Sequence, residues 1–161
     1  KNIIIRPDGR AFLVDFGIAK VFDPNQSDLA RSIEKQLAGN NWGGSWRNGI
    51  YNFQLYHSTA HEALGVYSGL ALVQRGGPGN EPVRIEKGDL VVLPAGTAHK
   101  RIDSGNGFAV VGAYPDRQGW DMNYGKEGER PDADKNIARV PLPATDPVYG
   151  ADGYLKKAWR T

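Results

Sequence analysis

The chain holds three histidines, His57, His61 and His99, and all fall in two short segments. The first segment, from Gly49 to Gly69, also carries Glu62; the second runs from Gly88 through Pro94 and Gly96 to His99. Neutral imidazole nitrogens and carboxylate oxygens are the usual donors to divalent zinc, iron, nickel, copper and manganese. Such clustering, with no histidine elsewhere, points to one centre for a divalent transition metal. Its candidate ligands are His57, His61, Glu62 and His99. An open position on such a metal polarises a substrate oxygen or activates a water, and Glu62 is also a candidate catalytic carboxylate.

Strands must position these groups. Tyr51, Phe53, Leu55 and His57 alternate with Asn52, Gln54 and Tyr56, which places the first set on one strand face. Glu62, Leu64 and Val66 share a face of the next strand, expected to end in a Ser68-Gly69 turn. Neighbours on a regular strand point to opposite faces, so His61 joins Glu62 only if residues 58–60 or a bulge turn it inward. Three arrangements stay open: His57, Glu62 and His99; His57, His61 and His99; or all four. Residues 70–74, 83–86, 90–93, 99–103 and 108–113 supply further short strands, punctuated by Gly and Pro as in a barrel or jelly roll. Tyr51 and Phe53 are expected to fill that barrel.

Outside the strands, a helix is expected over 27–38. Ser27 is its N-cap, Asp28 sits in its first turn, Gly39 is a left-handed C-cap, and Leu29, Ile33 and Leu37 form a buried stripe. Near the start, the apolar runs 3–5 and 11–14 flank Asp8-Gly9, a hairpin signal. Residues 116–161 are expected to wrap the barrel as an extended segment anchored by Trp120, Tyr149, Tyr154 and Trp159.

The length of 161 residues suits one core. A net charge of +2 with dispersed Lys and Arg gives no footprint for nucleic acid or an anionic membrane. The absence of cysteine excludes disulfides and thiolate ligands and fits a cytoplasmic protein. No apolar run reaches the ~20 residues that span a bilayer.

From about 37 to 159 the chain resembles a single-domain cupin and is similar to the bacterial YjlB-like group. The resemblance rests on Asn41-Trp-Gly-Gly-Ser-Trp-Arg-Asn-Gly-Ile50, His57-Ser-Thr-Ala-His-Glu-Ala-Leu-Gly65, Gly88 through His99, and Val111-Gly-Ala-Tyr-Pro115. It implies an all-β fold, a cupin jelly-roll β-barrel, here with an N-terminal β-hairpin and one short helix. It also implies a metal-dependent dioxygenase or isomerase acting on a small oxygen-chelating substrate such as a diketone, a phenol or a sugar acid. In cupins a first histidine stands two residues before the position of His57, where this chain has Leu55. Arg101, two residues past His99, is expected to share its face and to hold a substrate carboxylate. A homodimer is expected. The alternative is a non-catalytic metal- or ligand-binding or regulatory module.

Residues 1–20 resemble a protein kinase fragment running from the catalytic-loop asparagine (Asn2) to Asp15-Phe16-Gly17; in that family both Asn2 and Asp15 bind magnesium. The glycine-rich loop, the β3 lysine and the His-Arg-Asp motif are missing, so kinase activity is not expected. The expected division is an added hairpin over 1–24 and a cupin domain over 25–161, which could also be the cupin part of a kinase–cupin fusion.

Overall fold

The computed structural model describes residues 3–5, 11–13 and 18–159. The kinase-like Asn2 and Asp15 and the expected Asp8-Gly9 turn lie outside the described residues. Strands β1 (Ile3–Ile5) and β2 (Ala11–Leu13) pair antiparallel as a sheet of their own. The segment that enters the main sheet is a third strand, β3 (Ile18–Lys20), antiparallel to β7 (Asp89–Leu93).

The main sheet has six strands in the order β3-β7-β5-β8-β4, with β6 (Val83–Glu86) paired to β5. Its framework is the long antiparallel pair β5 (Glu62–Arg75) and β8 (His99–Pro115), flanked on the β8 side by β4 (Trp42–Asn48). The first half of β5 pairs with β7 and the second half with β6. A closed barrel is not what this order describes, since the path ends at β3 and β4. Ser68-Gly69 is likewise no turn. Register shifts on both sides of Ser68 are absorbed as bulges, and β5 continues. In the same way 99–103 and 108–113 merge into one strand.

The sheet is buried on both faces. Ala63, Leu90, Val92, Val111 and Ala113 pack under helix α1 (Leu29–Gly39), together with Trp42 and Leu155. Leu64, Val66, Val91, Leu93 and Val110 form the opposite core with Ile18, Ile50 and Ile85. Alternation along β7 therefore divides its side chains between two apolar layers. Helix α1 presents Leu29, Ala30, Ile33 and Leu37 to the sheet. It can sit close because residue 65 is glycine: a Cβ there would stand 2.6 Å from Ile33 Cγ2. Asp28, not Ser27, is the N-cap, its carboxylate accepting from the Arg31 amide. Gly39 remains helical, and Asn40 caps the C-terminus at φ −106°, outside the left-handed region.

Two further helices, α2 (Asp132–Arg139) and α3 (Tyr154–Ala158), replace the expected extended tail. The aromatic anchors divide: Trp159 packs on the α1-side core, whereas Trp120 and Tyr149 are exposed. Tyr51 and Phe53 do not fill the interior either. They are 50% and 42% exposed and stack on each other at 4.8 Å. Residues 51–57 make only isolated bridges, Leu55 to His99 and Tyr56 to Asn123, so alternation there has no ladder to enforce it.

Candidate metal centre

Three of the four candidate ligands converge. Glu62 opens β5 and is 2% exposed; its Oε2 lies 3.4 Å from His57 Nε2 and 3.7 Å from His99 Nε2. Both imidazoles are buried. The two histidine segments are tied by the Leu55–His99 bridge, whose amide–carbonyl bonds measure 3.2 and 2.9 Å.

The tautomers follow from the partners. His57 Nδ1 meets the Asp121 carbonyl and His99 Nδ1 meets the Thr97 carbonyl at 3.2 Å. A carbonyl only accepts, so each Nδ1 carries the hydrogen, and each ring, once neutral, turns its Nε2 lone pair to Glu62. Asp121 is itself clamped. Its carboxylate accepts from the Ser58 amide at 2.6 Å, the Thr59 amide at 3.2 Å and Asn123 Nδ2 at 2.8 Å, and from the Ser58 hydroxyl. Burial pushes this carboxyl up, but hydrogen bonds from Ser58 and Asn123 outweigh it and hold the group at about 2. Burial pushes the His57 imidazole down; the Glu62 carboxylate and the Asp121 carbonyl prevail and raise it. His99 is lowered, chiefly by burial.

His61 is not at this point. Its Nδ1 accepts from the Ala95 amide at 2.9 Å, its Nε2 donates to the Pro141 carbonyl at 3.1 Å, and its ring packs edge-on against Trp159 at 4.8 Å. Both nitrogens are used, which speaks against the expected ligand role. Arg101 is also elsewhere. Its Nε donates to the Ile50 carbonyl at 3.0 Å and a terminal nitrogen donates to Ser104 Oγ at 2.9 Å, in a separate depression beside Asn52 and Phe108.

Glu62, His57 and His99 border a cavity of about 210 Å³ whose other walls include Trp46, Leu55, Leu64, Tyr114, Trp120 and Met122. Leu55 therefore does lie beside the histidines, as strand alternation suggested. Trp46 and Tyr114 lie in stretches that carry the resemblance and Trp120 was expected to anchor the tail, but none of the three was read as a site residue. Tyr114 donates to Glu62 Oε1 at 3.1 Å and stacks on Trp120 at 5.9 Å. Burial and the nearby Glu62 carboxylate push its phenol up. Arg47 reaches the rim, but its guanidinium is held by both Glu34 oxygens at 2.6 and 2.9 Å.

Among the described residues no group of three or more His, Cys, Asp or Glu side chains forms a ready-made metal cage, and the His57 and His99 ring centroids stand 6.3 Å apart. The donor chemistry nevertheless fits a divalent transition metal. Atoms about 2.0–2.2 Å from a tetrahedral ion stand about 3.4 Å from one another, close to the two observed nitrogen–oxygen separations. Glu62 Oε2 is buried with no hydrogen-bond partner, which is costly unless a cation or proton answers it.

No family model matches the chain. Over 126 residues it is 37% identical to the uncharacterized protein YjlB of Bacillus subtilis (strain 168), a match covering 78% of this chain and 76% of that protein. The chain belongs to the YjlB family. Solved structures offer partial likenesses. Acireductone dioxygenase from Bacillus anthracis, with a cadmium ion in its active centre, matches at 14% identity and TM-score 0.39 over 60% of this chain and 70% of its own. Vicilin from tomato matches at 18% and 0.41, over 70% of this chain and 31% of its own. Among the described residues of this YjlB-family chain, no helix is long and apolar enough to cross a membrane.

Proposed function

We propose that this chain is a metal-dependent cupin enzyme, a dioxygenase or isomerase, in which His57, Glu62 and His99 hold one divalent transition metal. The observation that carries the reading is the orphaned Glu62 Oε2, faced by two Nε2 atoms whose rings are locked in the ligating tautomer. A metal bound there would supply a Lewis acid with open positions for substrate oxygens. The protein's share is to orient and to exclude water. Asp121 and Thr97 carbonyls fix the imidazoles, and Leu55, Leu64, Trp120 and Met122 keep the cavity apolar. With Arg47 paired to Glu34 and Arg101 outside the cavity, no free cation among the described residues lines it to greet a carboxylate or phosphate. That favours a diketone or phenol over a sugar acid.

Leu55 favours a second reading, a non-catalytic ligand-binding module, because it sets an apolar side chain beside the donors. Dioxygen uptake and substrate isomerisation with phenolic and diketone substrates, measured after loading iron, copper, nickel, zinc or manganese in turn, separate the two. Turnover with one metal supports the enzyme; tight metal retention without turnover on any of them supports the module. The expected homodimer belongs to the same proposal. The outer edge of β4 is unpaired among the described strands and could serve it, a point that light scattering checks.

A further inference from the structure

Glu62 is held from behind by a two-link chain. Trp46 Nε1 lies 2.7 Å from the Tyr114 hydroxyl, and that hydroxyl lies 3.1 Å from Glu62 Oε1. The direction of both bonds is forced. An indole N–H can only donate, so the phenol oxygen accepts from Trp46, and its hydrogen goes to the carboxylate, which can only accept. Oε1 is thereby occupied, while Oε2, the oxygen near both imidazoles, has no hydrogen-bond partner. Trp46 reaches this position because residue 112 is glycine: a Cβ there would stand 2.2 Å from Trp46 Cε2 and Cζ2. Strands β4, β5 and β8 thus each contribute one member, and Trp46 is paired across from Gly112 in the β4–β8 register.

We infer that Tyr114, backed by Trp46, is a positioning residue that presents Glu62 to the metal through Oε2 alone. The inference rests on the metal reading above. Engaging Oε1 keeps the carboxylate from taking two coordination positions, which leaves the second of them to substrate.

The test is titration of the metal-free full chain with cobalt(II), followed by its d–d absorption, for the unaltered chain, Tyr114→Phe and Trp46→Phe. Thermal melting confirms that each variant folds. The expected result is that Tyr114→Phe binds cobalt about 10–100-fold more weakly. Its d–d spectrum should change as Oε1 becomes free to coordinate. Trp46→Phe, which keeps the tyrosine, should shift both readouts in the same direction by less, and it decides the matter if Tyr114→Phe does not fold. Cobalt binding by the folded variants with unaltered affinity and spectrum would overturn the inference while leaving the metal reading intact. Failure of the unaltered chain to take up cobalt would overturn both.

Discussion

His57 and His61 lie four residues apart, both buried, yet their surroundings differ in one respect, on which the proposed division of roles rests. Around His61 every polar atom is matched: the Ala95 amide and the Pro141 carbonyl use both ring nitrogens, and Trp159 covers the ring. Around His57 only Nδ1 is matched, by Asp121, and Nε2 faces a carboxylate oxygen that itself lacks a partner. A satisfied buried histidine is a piece of architecture. One with an unmatched nitrogen facing Glu62 has a donor to offer.

The sharpest way to break this comparison is to remove the unmatched oxygen. Glu62→Gln is expected to weaken zinc binding about 1,000-fold, or ~4 kcal/mol, as measured by competition with a chromogenic chelator, while the fold persists. On the matched side, His61→Ala should leave zinc affinity unchanged but lower folding stability by about 2–4 kcal/mol, through lost packing and two stranded backbone groups. Urea denaturation of the metal-free chain reads this directly. If zinc affinity falls with His61 instead, the division between the two histidines is wrong.

Part of this arrangement was legible in the sequence. The second motif marked His99 and strand phase set Glu62 with Leu64 and Val66, whereas the opposite phase of adjacent residues left His61 open as a ligand. The stripe Leu29, Ile33 and Leu37 marked α1 within two residues of its observed start and one of its end. What escaped depends on contacts distant in sequence. Alternation over 51–57 looked like a strand, but without a ladder Tyr51 and Phe53 remain at the surface. Helix α2 buries only Ala133, so it shows no apolar stripe, although Asp132, Asp134 and Arg139 match its dipole. Tyr114 gains its role only where β8 lies beside β5 and β4. The β5–β8 ladder is regular from His99 to Arg101, and it is the hydrogen bonds to the Ile50 carbonyl and Ser104, distant or invisible in strand phase, that hold the Arg101 guanidinium away from the histidines.

A smaller effect concerns the clamp on His57. Asp121 titrates at about 2 in the folded chain against an ordinary 3.8. A depressed carboxyl contributes stability that is complete above its unfolded value and is lost as pH falls toward the folded one. The window is therefore roughly pH 4 down to 2, and partial exposure leaves a contribution of about 1 kcal/mol. Melting temperatures between pH 6 and 2.5 should fall more steeply for the unaltered chain than for Asp121→Asn. Smallest of all, Arg101→Gln should cost about 0.5–1 kcal/mol of stability for its two hydrogen bonds and leave metal affinity unmoved by calorimetry. A loss of substrate affinity in that variant would return Arg101 to the site.

The central claim is that His57, Glu62 and His99, and not His61, form the metal centre. Elemental analysis of the purified chain beside His57→Ala, His99→Ala and His61→Ala tests it most directly. The account predicts close to one equivalent of transition metal in the unaltered chain and in His61→Ala, and almost none in the other two. Metal retained by His57→Ala and His99→Ala, or lost from His61→Ala, would contradict it.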